Sequence, residues 1–386
     1  MRRLGISIYP DKSDTNELKE YLKLAYSKGF RRIFSSLIEF DDLEDKKRKD
    51  KFVEINKFAK DLGYEIIVDV NPAVFDKLGV KAGDYSFFNE IYVDGIRLDG
   101  GFNGFPEASM THNDQNLKVE INMSIDNHMI DAIMDYQPNK YNLIGCHNFY
   151  PHNYTGLSLD FFYKTTEKFN QYKLRTAAFI TSQNKEAFGP WPVDDRLPTL
   201  EMHRNLPIDV QLKHYVAMDN IDDILISNSY ARADELEKLS KVDLTKVVFD
   251  VKLEDKITDI MRKIVLEEEH LYRGDVSDHL IRSSQSRVKY NGSDFPQVNT
   301  PEIIKKGDVL IDGNGYGHYT GELQIAKKDM INNGLTNVVG HIVEDEIFII
   351  DFLKPWQRFG LRLADEAWDM YRFARILWQC SKGRSR

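Results

Sequence analysis

Two spacings of apolar residues take turns along this chain. In runs such as LGISIY from Leu4 and EIIVDVN from Glu65, apolar residues alternate with other residues or run together, as in strands buried within a sheet. Between them lie stretches such as TNELKEYLKLAYSKG from Thr15 and SLDFFYKTTEKFNQY from Ser158. Their apolar positions recur every three or four residues, the stripe of an amphipathic helix. Further strand-like runs are RRIFSSL from Arg31, GIRLDGGF from Gly95, KVEINMS from Lys118, NLIGCHNF from Asn142, RTAAFITS from Arg175 and DDILISNSY from Asp222. Strands that alternate with helices call for a parallel sheet with helical crossovers. Eight such units by about residue 240 have the dimensions of a TIM barrel. A doubly wound open sheet is the alternative, and the first strand lacks the G-x-G-x-x-G turn that would favour it. GFNGF from Gly101 has the wrong spacing and no helix pattern behind it, and reads as a loop.

Past Val242 the rhythm changes. VVFDVKL from Val247, KGDVLIDG from Lys306, GELQIAKK from Gly321, NVVGHIV from Asn337 and EIFIIDFL from Glu346 read as strands joined by turns. One strong helix is expected from Glu254 to about His270. The predicted organisation is a barrel over residues 1–240, a smaller, mainly β domain over 241–363, and a helical-looking tail over 364–386 with no assigned role.

Composition narrows the function. Of 386 residues, 42% are hydrophobic and 29% charged, an ordinary globular balance. The formal net charge of −9 argues against a nucleic-acid or anionic-membrane partner. No uncharged run approaches the roughly 20 residues that span a bilayer. The first apolar stretch is too short for the core of a signal peptide, so a cytoplasmic protein is expected. Cys146 and Cys380 form neither a zinc motif nor a disulfide framework, and are read as two reduced thiols. No H-E-x-x-H or other metal-ligand set appears, and no G-x-S-x-G elbow, so neither metal nor cofactor is expected.

Strand parity locates the chemistry. Side chains alternate faces along a strand, and an apolar outer face packs under the helices. In EIIVDVN this turns Asp69 and Asn71 inward, in GIRLD it turns Arg97 and Asp99 inward, and in KVEINMS it turns Glu120, Asn122 and Ser124 inward. Three consecutive strands thus send carboxylates and amides toward one axis, and such desolvated groups are costly unless paired. Arg97 could neutralise Asp99 or Glu120 in a layer below the mouth, which would be a purely structural use.

Two loops add to the cluster. The junction CHNFYPHNYTGL crowds His147, Asn148, Tyr150 and Tyr154 before a helix, as a wall that holds a polar ring would. GPWPVDDRLPTLEMHRNLP, after the seventh strand, brings Glu201, His203 and Arg204, with Trp191 as a stacking surface. Glu201 and Arg204 are also spaced to pair with each other.

The strings VDVNP, GIRLDGGF, CHNFYPHNYTGL, RLPTLEMHR and DGNGYGHYTGELQIAKKDM resemble motifs of the bacterial 6-phospho-N-acetylmuramidases, glycoside hydrolase family 170. The resemblance runs from Leu4 to about Leu363. It implies an N-terminal TIM barrel, a C-terminal cyclophilin-like β-barrel, cytoplasmic residence, and hydrolysis of the β-1,4 bond in N-acetylmuramic acid 6-phosphate–N-acetylglucosamine during cell-wall recycling. His152 stands where the family pattern has arginine.

Glycoside hydrolysis commonly uses two carboxyl groups, and an N-acetyl sugar can instead attack with its own acetamido group while a carboxylate pair assists. Asp69 and Asp99, on adjacent strands, are the first pair expected, with Glu201 as the reserve acid. Asn71, Asn122, His147, Asn148, Tyr150 and His203 are expected to line the sugar site. Arg97 and Arg204 are expected to take phosphate and lactyl carboxylate. Arg282 and Arg287 in the second domain could close over the mouth, or sit on the surface. That domain is expected to cap the barrel or to mediate contacts in a homodimer. Two rival readings are a noncatalytic phosphosugar sensor and another phosphosugar-processing barrel enzyme. An aldolase would want an inward lysine at a strand end, and the strands supply none that convinces.

Overall fold

The computed structural model describes residues 1–38, 46–78, 80 and 83–364. The tail and Cys380 therefore lie outside the described residues. The chain divides into two units, with the boundary between Thr245 and Lys246.

The first unit is a closed barrel of eight parallel strands in sequence order: β1 Arg3–Ser7, β2 Phe30–Ser36, β3 Glu65–Val70, β4 Gly95–Leu98, β5 Lys118–Asn122, β6 Leu143–Cys146, β7 Arg175–Ile180 and β8 Asp223–Ile226. Strand β1 pairs with both β2 and β8, which closes the ring and excludes the open sheet. The two stretches with the clearest helical stripe are helices at Thr15–Ser27 and Leu159–Asn170, capped by the side chains of Asp14 and Ser158. The expected loop at GFNGF is followed at once by a short helix, Phe105–Met110. Gly104, at φ +96°, makes the turn, and the Glu107 carboxylate accepts the backbone N–H groups of Phe102 and Gly104. One glutamate supplies the start signal that glycine spacing alone did not show.

Inside the barrel the side chains form layers. At the base, the buried Arg32 guanidinium bridges Glu120 and Asp223, which also accepts bonds from Arg3 and Arg175. Above it Phe34, Cys146, Ala177, Phe179 and Leu225 make an apolar plug, with Tyr9 and the partly buried Phe149 packed in. Cys146 is buried and makes no disulfide.

The second unit is mainly β. Its strands are β9 Val247–Leu253, β10 His270–Leu271, β11 Leu280–Ser283, β12 Ile303–Ile304, β13 Asp308–Asp312, β14 Leu323–Ala326, β15 Met330–Ile331, β16 Thr336–Ile342 and β17 Arg358–Leu363. Seven of them form one sheet in the order β10-β17-β9-β16-β13-β14-β11, while β12 and β15 make a separate ribbon. The sheet curls until its two edges approach: Arg273 N–H donates to the Arg282 carbonyl at 3.0 Å, giving a nearly closed barrel.

Two expectations fail here. EIFIIDFL is not a strand but part of a 3-10 segment, Glu344–Phe352. Neighbouring Ile349 and Ile350 are both buried, a pattern a one-faced strand cannot produce, and the Glu346 carboxylate accepts the Asp250 N–H at 2.9 Å. The helix expected from Glu254 spans Asp259–Glu267, because Thr258 caps it and His270 already belongs to a strand.

Candidate active site

Strands β3 and β4 set the centre of the site. Their register places Asp69 directly opposite Arg97, and Asp99 follows one residue beyond the end of β4. The Arg97 Nη1 donates to Asp69 Oδ1 at 2.7 Å and reaches Asp99 Oδ1 at 3.3 Å. Its Nη2 donates to Asn148 Oδ1, and its Nε lies 4.0 Å from Glu120. One guanidinium thus holds two carboxylates and an amide at the C-terminal end of the barrel, the end where such barrels carry their chemistry.

The two aspartates differ in environment. The Asp69 side chain is 13% exposed and that of Asp99 is 48% exposed. Burial pushes the Asp69 carboxyl up to about 7; Arg97 opposes the rise and the Asp99 charge adds to it. Asp69 therefore exchanges its proton near neutral pH, while Asp99 is the carboxylate open to solvent.

The supporting residues lie below and beside this group. Asn148 is fixed by three bonds: its N–H donates to Ser124 Oγ at 2.7 Å, its carbonyl accepts from Thr199 Oγ1 at 2.8 Å, and its side chain meets Arg97. The Asn122 side-chain Oδ1 accepts the Ser124 N–H at 2.8 Å, and Asn71 Oδ1 accepts the Val74 N–H at 3.0 Å at the start of a helix. Tyr150 is half-buried, and its N–H donates to the Pro198 carbonyl at 3.1 Å.

Four of the expected site residues have polar groups bonded within the protein. His147 is fully buried, with Nδ1 3.2 Å from Ser124 Oγ and Nε2 2.9 Å from Thr166 Oγ1, and its ring packs on Phe162. Burial, reinforced by the Arg97 charge, lowers its pKa to about 3, so it is a neutral strut behind the wall. His203 is also buried, with Nε2 2.8 Å from His214 Nδ1 and its ring edge-on to Tyr215.

The Glu201 and Arg204 carboxylate and guanidinium meet in parallel, Nε–Oε1 at 2.8 Å and Nη2–Oε2 at 2.7 Å. The remaining Nη1 of Arg204 donates to the carbonyls of Tyr150, Asp195 and Arg196, so this buried guanidinium ties Glu201 to three backbone groups. The same Glu201 accepts the N–H groups of Tyr154 at 2.9 Å and Gly156 at 2.8 Å. The Arg204 bond, with these amides, lowers its pKa, the wrong direction for a reserve acid.

The pair works as a buckle between the loops after β6 and β7. It holds Tyr154 at φ +68° with its ring 90% exposed. A side chain at Gly156 would put its Cβ 2.7 Å from Glu201 Oε2. Trp191 is partly exposed on the loop after β7.

Arg282 and Arg287 converge within the second unit on the buried Glu322, at 2.7 and 3.1 Å. Sequence reasoning missed Arg32 and Asp223 at the barrel base, and Thr199, which clips Asn148. Inward parity of Arg32 with Phe34 was the available signal for the first.

Among the described residues, no helix is long and apolar enough to cross a membrane. Comparison with curated proteins finds no match. A crystal structure of an uncharacterized B. cereus protein is similar, at 42% identity and a TM-score of 0.84, covering 93% of this chain and 99% of that one. A conserved Enterococcus faecalis protein of unknown function shares the fold at 22% identity and a TM-score of 0.68, covering 97% and 99%. Residues 4–241 match the family described as 6-phospho-N-acetylmuramidase, N-terminal, and residues 247–362 match its C-terminal counterpart. With both halves of the family pattern present in order, this chain belongs to the 6-phospho-N-acetylmuramidase family and is a glycoside hydrolase.

Proposed function

We propose that the protein hydrolyses the β-1,4 bond of N-acetylmuramic acid 6-phosphate–N-acetylglucosamine, in the cytoplasm, during recycling of cell-wall fragments. The observation that carries the chemistry is the single Arg97 that holds Asp69 and Asp99 side by side with unlike exposure. Asp69, protonated in part near neutral pH, gives its proton to the glycosidic oxygen. Asp99 faces the sugar and steadies either the attacking acetamido group or the incoming water. Arg97 positions both carboxylates through Nη1 and holds Asn148 through Nη2. Asn148 and Tyr150 offer hydrogen bonds to hydroxyl and acetamido groups beside them.

The family match supports a phosphorylated muramic sugar as substrate. Incubating the protein with the 6-phosphorylated disaccharide, with its unphosphorylated form in parallel, tests the reading by mass spectrometry. Release of N-acetylglucosamine mainly from the phosphorylated form is expected. Turnover of neither form would leave the sensor reading standing, and equal kcat/KM would remove phosphate recognition.

A further inference from the structure

The second unit contains a cavity of about 470 Å³, lined wholly by its own residues. That is within the range of about 300–1,000 Å³ found for small-molecule sites. Its floor is one face of four paired strands. Leu310 and Asp312 of β13, Gln324 of β14 and Thr336 of β16 meet there in register, Leu310 opposite Gln324 and Asp312 opposite Thr336. The β12–β15 ribbon walls one side through Ile304, Met330 and Ile331, and Tyr316 and Tyr319 stand at another.

The two halves of the lining differ in chemistry. At the polar end, Asp312 accepts from Gln324 Nε2 at 2.8 Å and from Thr336 Oγ1 at 3.0 Å, and the Tyr316 hydroxyl donates to Asn333 Oδ1 at 3.1 Å. At the other end, Leu280, Ile304, Leu310 and Met330 present the edge of a core cluster. The lining cation, Arg282, is tied down: its Nε and Nη2 both lie 2.7 Å from Glu322 Oε1, a carboxylate it shares with Arg287. A ligand that fits this lining needs several hydroxyl or amide groups at one end and a small apolar group at the other.

We propose that the second unit holds a binding site of its own for an N-acylated amino sugar. The ring hydroxyls would bond to the Asp312–Thr336–Gln324 floor, and the acyl group would lie against Leu280, Leu310 and Met330. Adjacent donors and acceptors at one level suit a pyranose edge, and the tyrosine faces suit its C–H surface. Burial raises the Asp312 carboxyl to about 7, so it can offer a proton as well as accept one. The site shares no residue with the Asp69–Arg97–Asp99 group and does not depend on the hydrolytic reading.

The test uses the full chain labelled at its methionine methyl groups, titrated with N-acetylglucosamine and, separately, glucose. The Met330 methyl signal should move with N-acetylglucosamine, respond several-fold less to glucose, and respond unchanged in Asp69→Asn. Ile331→Trp fills the mouth from an 81% exposed position, and should abolish the response with the other methyl signals in place. Thr336→Val should weaken it; should that buried change unfold the unit, Ile331→Trp decides alone. A silent Met330, an equal response to glucose, or a response that survives Ile331→Trp would each overturn the proposal.

Discussion

Asp69 stands opposite Arg97 on the neighbouring strand, and the 2.7 Å bond between them is what keeps a buried carboxyl from rising beyond about 7. Removing the titrating group should therefore lower the rate and flatten the pH dependence of stability that this group brings. Asp69→Asn keeps the shape and abolishes proton transfer, so kcat should fall by about 10²–10⁴-fold. The folded state binds this proton more tightly than the unfolded chain does. The stability contributed by this group is accordingly lost as pH rises from about 4 through 7 in the wild type, and not in the variant. A melting-temperature profile in which Asp69→Asn gains on the wild type between pH 4 and pH 7, with a constant difference above, is expected; parallel profiles would remove the assigned shift.

Arg97→Gln tests the same pair from the other side. With the opposing cation gone, the Asp69 carboxyl should titrate higher, and the alkaline limb of the kcat–pH profile should move upward. Truncating one partner of a buried pair costs about 3–5 kcal/mol, and protonation of Asp69 offsets part of that cost at low pH. The melting-temperature deficit should thus widen as pH rises. An alkaline limb that stays in place would mean another group sets it.

Glu201→Gln separates a buckle from an acid. The acid reading demands a kcat loss of about 10²–10⁴-fold. The Glu201–Arg204 geometry instead predicts a stability loss near the lower end of about 3–5 kcal/mol, a raised KM from the loosened Tyr154 loop, and kcat within a few-fold of wild type. Thermal unfolding and steady-state kinetics on one preparation decide between them.

His147, His203 and His214 should make the barrel acid-labile. Burial lowers the pKa of all three, to about 3 for His147 and His214, so the unfolded chain takes up more protons than the folded one below about pH 6.5. Stability from these groups is complete above that pH and is lost as pH falls. Asp69 and Asp194, both raised by burial, act the other way, two carboxyls against three imidazoles. The expected net result is a falling melting temperature between pH 7 and pH 5, measured by circular dichroism.

The barrel could be read in advance because two signals agreed at each element: helical stripes between apolar runs, and polar parity against apolar outer faces. EIIVDVN and GIRLD gave Asp69, Arg97 and Asp99 together because their outward positions are isoleucine, valine and leucine. Parity says which way a side chain points, but not how far up the axis its partner sits. Arg32 and Asp223 escaped notice because RRIFSS and DDILIS each begin with two charges in a row. For His147, His203 and Arg204 the pattern shows polar side chains at strand-to-helix junctions, but not the bonds they make. Their bonds go to Thr166, to His214 and to backbone carbonyls, and no residue pattern announces a carbonyl. EIFIIDFL misled through propensity, since isoleucine-rich runs fit a pleated surface until two consecutive side chains must be buried.

The ion cluster at the base of the barrel has a consequence for how the chain can assemble. Arg32 arrives on the second strand, Glu120 on the fifth and Asp223 on the eighth. Any fragment lacking the last strand leaves a guanidinium in an apolar interior with half its counter-charge, and one lacking the second leaves the buried Glu120 without its bonded cation. Neither penalty can be relieved locally, because the three groups are separated by 88 and 191 residues from Arg32. Half-barrels cut between these strands should therefore not persist as folded pieces, and closure of the ring becomes the event on which the stability of every earlier strand depends.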